Sequence, residues 1–88
     1  MPKQPDNRAA GLLREVGLAL YGEEWRDRLA AALGVQRETI RTWARGGDAR
    51  FGPDHPAIKD LLALVERRAE ETARARDALR AWLGRSRG

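Results

Sequence analysis

The sequence predicts an all-α fold of about four to five helices, the last of them long. Three observations lead there. Apolar residues recur at the three- and four-residue spacing of a helix, and no stretch alternates apolar with polar as a half-buried strand would. Glycines at 22, 34 and 46–47 punctuate the chain between the apolar patterns. From Ala57 to Leu83 there is neither Gly nor Pro, in a run rich in Ala, Leu, Arg and Glu, which favour helix.

The elements follow in order. Residues 1–6 hold two Pro among polar residues and read as a disordered tail, with Asp6 or Asn7 able to cap the first helix. Leu12, Leu13, Val16, Ala19 and Leu20 form its apolar face, and Tyr21-Gly22 ends it. A second helix starts near Glu23-Glu24, carries Trp25, Leu29, Ala32 and Leu33 on one face, and stops at Gly34. A third runs from about Gln36 to Arg45, with Val35, Ile40, Trp43 and Ala44 apolar, and Gly46-Gly47 closes it. Residues 46–56, GGDARFGPDHP, are a loop pinned to the core by Phe51. The organisation is thus a core over 7–56, a long helix over 57–83 that packs on the core and dimerises, and a frayed tail over 84–88.

Composition narrows the function. At 88 residues the chain is one domain, small enough to gain from oligomerisation. It has no Cys, hence no disulfide, thiolate metal site or cysteine nucleophile. The opening MPKQPDNRAA does not read as a signal peptide, and no apolar run approaches the roughly 20 residues of a membrane span, so a cytoplasmic protein with no membrane partner is expected. Net charge is +4, and 15 of the 17 basic residues are Arg, a side chain suited to bidentate contacts with phosphate and guanine. A GC-rich genome accounts for the same excess equally well. With a single His, a single Ser in the tail and no clustered carboxylates, no nucleophile–base pair can be assembled, so no enzyme, cofactor or metal is expected. His55, between Asp54 and Pro56, reads as a loop or capping residue.

The segment LGVQRETIRTWARGG, residues 33–47, is the most informative. A helix-turn-helix joins two helices through a three- or four-residue turn that often contains Gly, because the turn needs a left-handed backbone. Gly34 supplies it, and Ala30 is small enough to let the second helix pass close. Leu29, Leu33, Val35, Ile40 and Trp43 then face the core. Gln36, Arg37, Glu38, Arg41, Thr42 and Arg45 form an exposed polar face, and with Thr39 among them the mix suits the reading of base edges.

These residues carry a resemblance. Leu29-Ala30, Leu33-Gly34-Val35, Thr39-Ile40-Arg41 and Trp43-Ala44-Arg45-Gly46 together resemble the helix-turn-helix of the Cro and phage-repressor-like family of small regulators. Anti-CRISPR-associated repressors are similar in length and plan. The resemblance implies a small helix-turn-helix domain that binds double-stranded DNA as a dimer on a pseudo-palindromic operator, often with autoregulation. One departure is Gln36, where the family often has a capping Ser or Thr.

Roles follow from the way recognition helices dock, N-terminal residues on base edges. Gln36, Arg37 and Arg41 are assigned to direct readout, Gln36 toward adenine and an Arg toward guanine. Thr42 and Arg45 are assigned to phosphate, and Thr39 to a secondary contact. Glu38 either accepts from a cytosine amine or holds Arg41 or Thr42 in place. Trp25 and Arg26 open the first helix of the motif. Arg26 is a backbone candidate, and Trp25 reads as core rather than as a stacking platform. Arg50, in the loop, is a backbone or minor-groove candidate.

A helix over 57–83 is about 40 Å long and overhangs a globule about 30 Å across. Ile58, Leu61, Leu62 and Val65 are expected on the core, followed by Ala69, Thr72 and Ala73 and then a second patch, Leu79, Trp82 and Leu83. A strict heptad fails near Arg76, against a long regular coiled coil. The second patch either folds back on the N-terminal helix or forms a homodimer interface. Two functions follow: a dimeric repressor reading an inverted repeat, or an antitoxin-like or phage adaptor whose long helix binds a protein partner.

Overall fold

The computed structural model describes residues 8–87. Among them are four α-helices and no strand: α1 (Arg8–Tyr21), α2 (Trp25–Leu33), α3 (Arg37–Ala44) and α4 (Pro56–Arg87), with a 3-10 turn at Gly22–Glu24 leading into α2. The expected tail over 1–6 and the cap at Asp6 or Asn7 lie outside the described residues.

The core forms where α1, α2 and α3 meet, with Leu13, Leu29 and Ile40 fully buried, one from each helix. Trp25, Trp43, Phe51 and Leu61 close round them. On α1 the buried residues are Ala10, Leu13 and Gly17, and Val16 packs on the core beside them, so Leu13 and Val16 of the apolar face read from the sequence point inward. Leu12 and Ala19 are exposed. The reason for Gly17 is steric. The Trp25 ring packs against α1, and a Cβ on Gly17 would stand 2.7 Å from Trp25 Cδ2. Small residues face inward because a large ring arrives from α2.

The turn between α2 and α3 has the expected glycine geometry. Gly34 takes φ +71°, with open space around the position of a Cβ. Backbone conformation, not crowding, therefore demands Gly. The Val35 N–H donates to Ala30 O at 3.0 Å, which satisfies a terminal carbonyl of α2 in the Schellman manner. Val35 and Leu33 pack on the core from either side of this glycine. At the far end of α3 the same device recurs: Gly46 takes φ +75°, and the Gly47 N–H donates to Thr42 O at 2.8 Å. Gln36 stands at the start of α3 in extended backbone and makes no side-chain cap.

The loop from 45 to 55 is held by aromatic contacts. Phe51 stacks on Trp43 with centroids 4.6 Å apart and planes 9° from parallel, and His55 sits edge-on to both rings. His55 Nδ1 also accepts the Ala57 N–H at 3.1 Å, capping α4 ahead of its first residue, Pro56. Asp48 Oδ1 accepts the Arg50 N–H at 2.9 Å. That bond, more than the opposing desolvation or the added Arg50 guanidinium and Trp43 contacts, holds the Asp48 carboxyl below its ordinary value. The carboxylate therefore supports the loop at neutral pH and loses that role as pH falls through its lowered value.

α4 is unbroken for 32 residues, and two expectations are corrected here. Its inward face is Ala57, Ile58, Leu61 and Leu64, with Val65 half-buried, while Leu62 points to solvent. Leu62 lies about 100° round the helix from Leu61, beyond the stripe that meets the body. Residues 84–87 are helical rather than frayed, because Gly84 keeps ordinary backbone and costs only about 1 kcal/mol inside a run of strong helix formers. The helix overhangs the body: the molecule measures 65 × 29 × 21 Å. Its radius of gyration is 17.1 Å, against about 12 Å for a compact domain of this size. No described helix is long and apolar enough to cross a membrane.

Two substitutions test this packing by urea denaturation. Gly34→Val is expected to lower the unfolding free energy by about 1–2 kcal/mol or more, since a β-branched residue must enter the left-handed region. An unchanged midpoint would show that the turn does not need that conformation. Gly17→Ala is expected to cost about 1–3 kcal/mol by overpacking against Trp25, and a neutral result would mean the ring is free to move aside.

Candidate nucleic-acid interface

Placing Ile40, Trp43 and Ala44 in the core leaves the opposite side of α3 to solvent. Arg37, Arg41 and Arg45, spaced four apart, stack along that side. Arg26 from α2 and Arg14 from α1 reach the same place. Together these five guanidinium-bearing side chains and Ala44 line a shallow groove of about 370 Å³. Helix packing thus gathers from three helices a set of cations that lies scattered over more than thirty positions of sequence.

Each Arg is steered by its neighbours. Arg37 Nε lies 3.0 Å from Asp27 Oδ1, an exposed ion pair between the start of α3 and α2. Arg41 Nη1 lies 3.3 Å from Glu38 Oε1 one turn back. The Arg26 guanidinium sits 4.8 Å from the centroid of the Trp25 ring. The two ion pairs are more than half exposed on both sides, so they orient side chains without adding much stability.

The residues assigned from the sequence fall into three groups. Arg26, Arg37, Arg41 and Arg45 come together in the groove. Gln36, Glu38, Thr39 and Thr42 lie on or beside α3 but do not line the groove. Of the two roles open to Glu38, the contact present is the one with Arg41. Thr42 is half-buried, and its methyl lies 3.1 Å from where a Gly47 Cβ would stand. Arg50 stands apart, its Nε 3.4 Å from Asp48 Oδ1 in the loop. Trp25 is buried and offers no stacking face. Arg14 is the member that sequence reading missed. Its position on the polar side of α1 beside Glu15 looks like any solvated charge, and only the packing of α1 against α3 brings it to the groove.

The far patch of α4 does not fold back on α1. Leu79, Trp82 and Leu83 are 59%, 55% and 50% exposed. Comparison of the chain with protein-family models, with curated proteins and with solved structures found no match.

The exposed Arg37–Asp27 pair gives a direct check on this reading of the groove. Asp27→Asn is expected to change unfolding free energy by less than about 1 kcal/mol, measured by urea denaturation. A larger loss would make the pair a structural tie between α2 and α3 rather than a means of aiming Arg37.

Proposed function

We propose that the protein binds double-stranded DNA through α3 and the arginine groove, as a sequence-specific transcription regulator. One observation carries the reading: five Arg side chains from three helices converge on the outward side of a short helix that follows a left-handed glycine turn. A single-sign groove of this kind attracts a polyanion and releases its counterions on binding. The resemblance of residues 29–46 to the Cro and phage-repressor-like motif supports duplex DNA as that polyanion.

In this reading the groove faces the duplex and the start of α3 enters the major groove. Arg37 and Arg41 read bases, Arg41 aimed by Glu38, and Gln36, free of capping duty, is available to adenine. Arg14, Arg26 and Arg45 contact phosphate, with Thr39, Thr42 and Arg50 secondary. Repression, and autoregulation through an inverted repeat near the protein's own coding sequence, are the expected biological form. The second reading, an adaptor that binds a protein partner through α4, is favoured by the exposed Leu79, Trp82 and Leu83.

Fluorescence anisotropy with a selected duplex and a random one tests the roles. Arg41→Ala is expected to cost about 1–3 kcal/mol on the selected duplex and to relax preference at one position. Arg45→Ala and Arg14→Ala should weaken both duplexes alike and reduce the slope of log affinity against log salt by about one. Equal losses on both duplexes for all three variants would remove the base-reading assignment. No binding at low salt would remove the DNA reading altogether.

A further inference from the structure

We infer that the overhanging half of α4 pairs with a second copy of this chain, antiparallel, about a two-fold axis near Asp77. Leu79, Trp82 and Leu83 follow Leu61, Leu64 and Val65 by eighteen residues, which is five turns of helix. They continue the stripe that covers the body's core, about 27 Å further along. Between the two clusters the same stripe carries Arg68, whose guanidinium turns back to 5.9 Å from the Tyr21 ring centroid, and then only small groups: Ala69 at its edge, Thr72 and Ala75. The large residues remain half exposed, and a Trp flanked by two Leu is an apolar surface that normally has a partner.

Size complementarity selects the orientation. With the axis at residue 77, Leu79 meets Ala75 of the other copy, Trp82 meets Thr72, and Leu83 meets Ala69. Every large side chain faces a small one, so the layers interdigitate at near-native density. In a parallel pair Trp82 would oppose its own counterpart while Ala75 and Thr72 opposed theirs, leaving a clash and a void. Charge agrees. Residues 74–86 carry Arg74, Arg76, Arg80 and Arg85 against one acid, Asp77, whereas Glu66, Glu70 and Glu71 lie further back. Antiparallel pairing brings Arg85 beside the partner copy's Glu71. Arg76 comes opposite its own counterpart near the axis, where its contact with Asp77 at 3.1 Å already balances the charge. The interface is short: Arg68 bounds it upstream, and the strict heptad already fails near Arg76, at the edge of the paired stripe.

The chain has no Cys, so single cysteines report the geometry without background. Sedimentation of the full chain at tens of micromolar is expected to give a dimer. Leu79→Glu is expected to raise the dimer dissociation constant about tenfold or more while the circular dichroism of the body persists. Glu71→Cys and Arg85→Cys proteins, mixed and treated with a short bismaleimide, are expected to cross-link to each other. Glu71→Cys alone is expected not to, because two such residues stand about 18 Å apart along an antiparallel pair. A monomeric full chain, a dimer indifferent to Leu79→Glu, self-linking of Glu71→Cys, or failure of the mixture to link would each overturn the proposal. The pairing stands independently of DNA binding: a dimer that ignores DNA leaves it intact, and a DNA-binding monomer removes it alone.

Discussion

The left-handed backbone at Gly34 is the constraint on which the rest of the body depends. It ends α2 and turns the chain sharply enough for α3 to lie across α1 and α2. With that direction set, the positions of Ile40, Trp43 and Ala44 bring them into the core, and Arg37, Arg41 and Arg45 are left facing outward. A different residue at this turn would have to enter a region of backbone space that side chains with a Cβ disfavour. The electrostatic character of the groove thus traces to one torsion angle.

Trp43 links this arrangement to the remainder of the chain. It belongs to α3, yet its outer face stacks on Phe51, and His55 touches both rings before capping α4. The loop is therefore stitched to the core side of α3 at one end and to the long helix at the other. Aromatic pairs of this kind contribute about 0.5–1.5 kcal/mol beyond the area they bury. That is a substantial share for a domain whose core draws on so few large side chains.

The groove and the overhang work against the stability of an isolated chain, each in its own way. Five guanidinium groups in one groove repel one another, and the exposed carboxylates of Asp27 and Glu38 relieve this only partly. Half-exposed Leu79, Trp82 and Leu83 leave apolar surface in water. Both features fit the two proposals made above, in which association with a polyanion covers the groove and association with another copy covers the overhang. Functional surfaces commonly depart in this way from what packing alone would favour.

Local chemistry was legible in the sequence wherever one helix and its own period decided the outcome. The all-α class, the turn at Gly34, the close of α3 at Gly46-Gly47, the pinning role of Phe51 and the two sides of α3 follow from residue spacing and glycine conformation, which are properties of neighbours in the chain. What depended on neighbours in space was not legible. Gly17 faces inward because Trp25 arrives there, Leu12 and Leu62 face outward because nothing arrives to cover them, and Arg14 joins the groove because α1 packs across α3. Periodicity identifies an apolar stripe but not the width of it that a partner will bury, and a charge on a helix shows no sign of which other charges will stand beside it. Those outcomes are set by contacts between segments far apart in sequence, which come into being only when the helices pack.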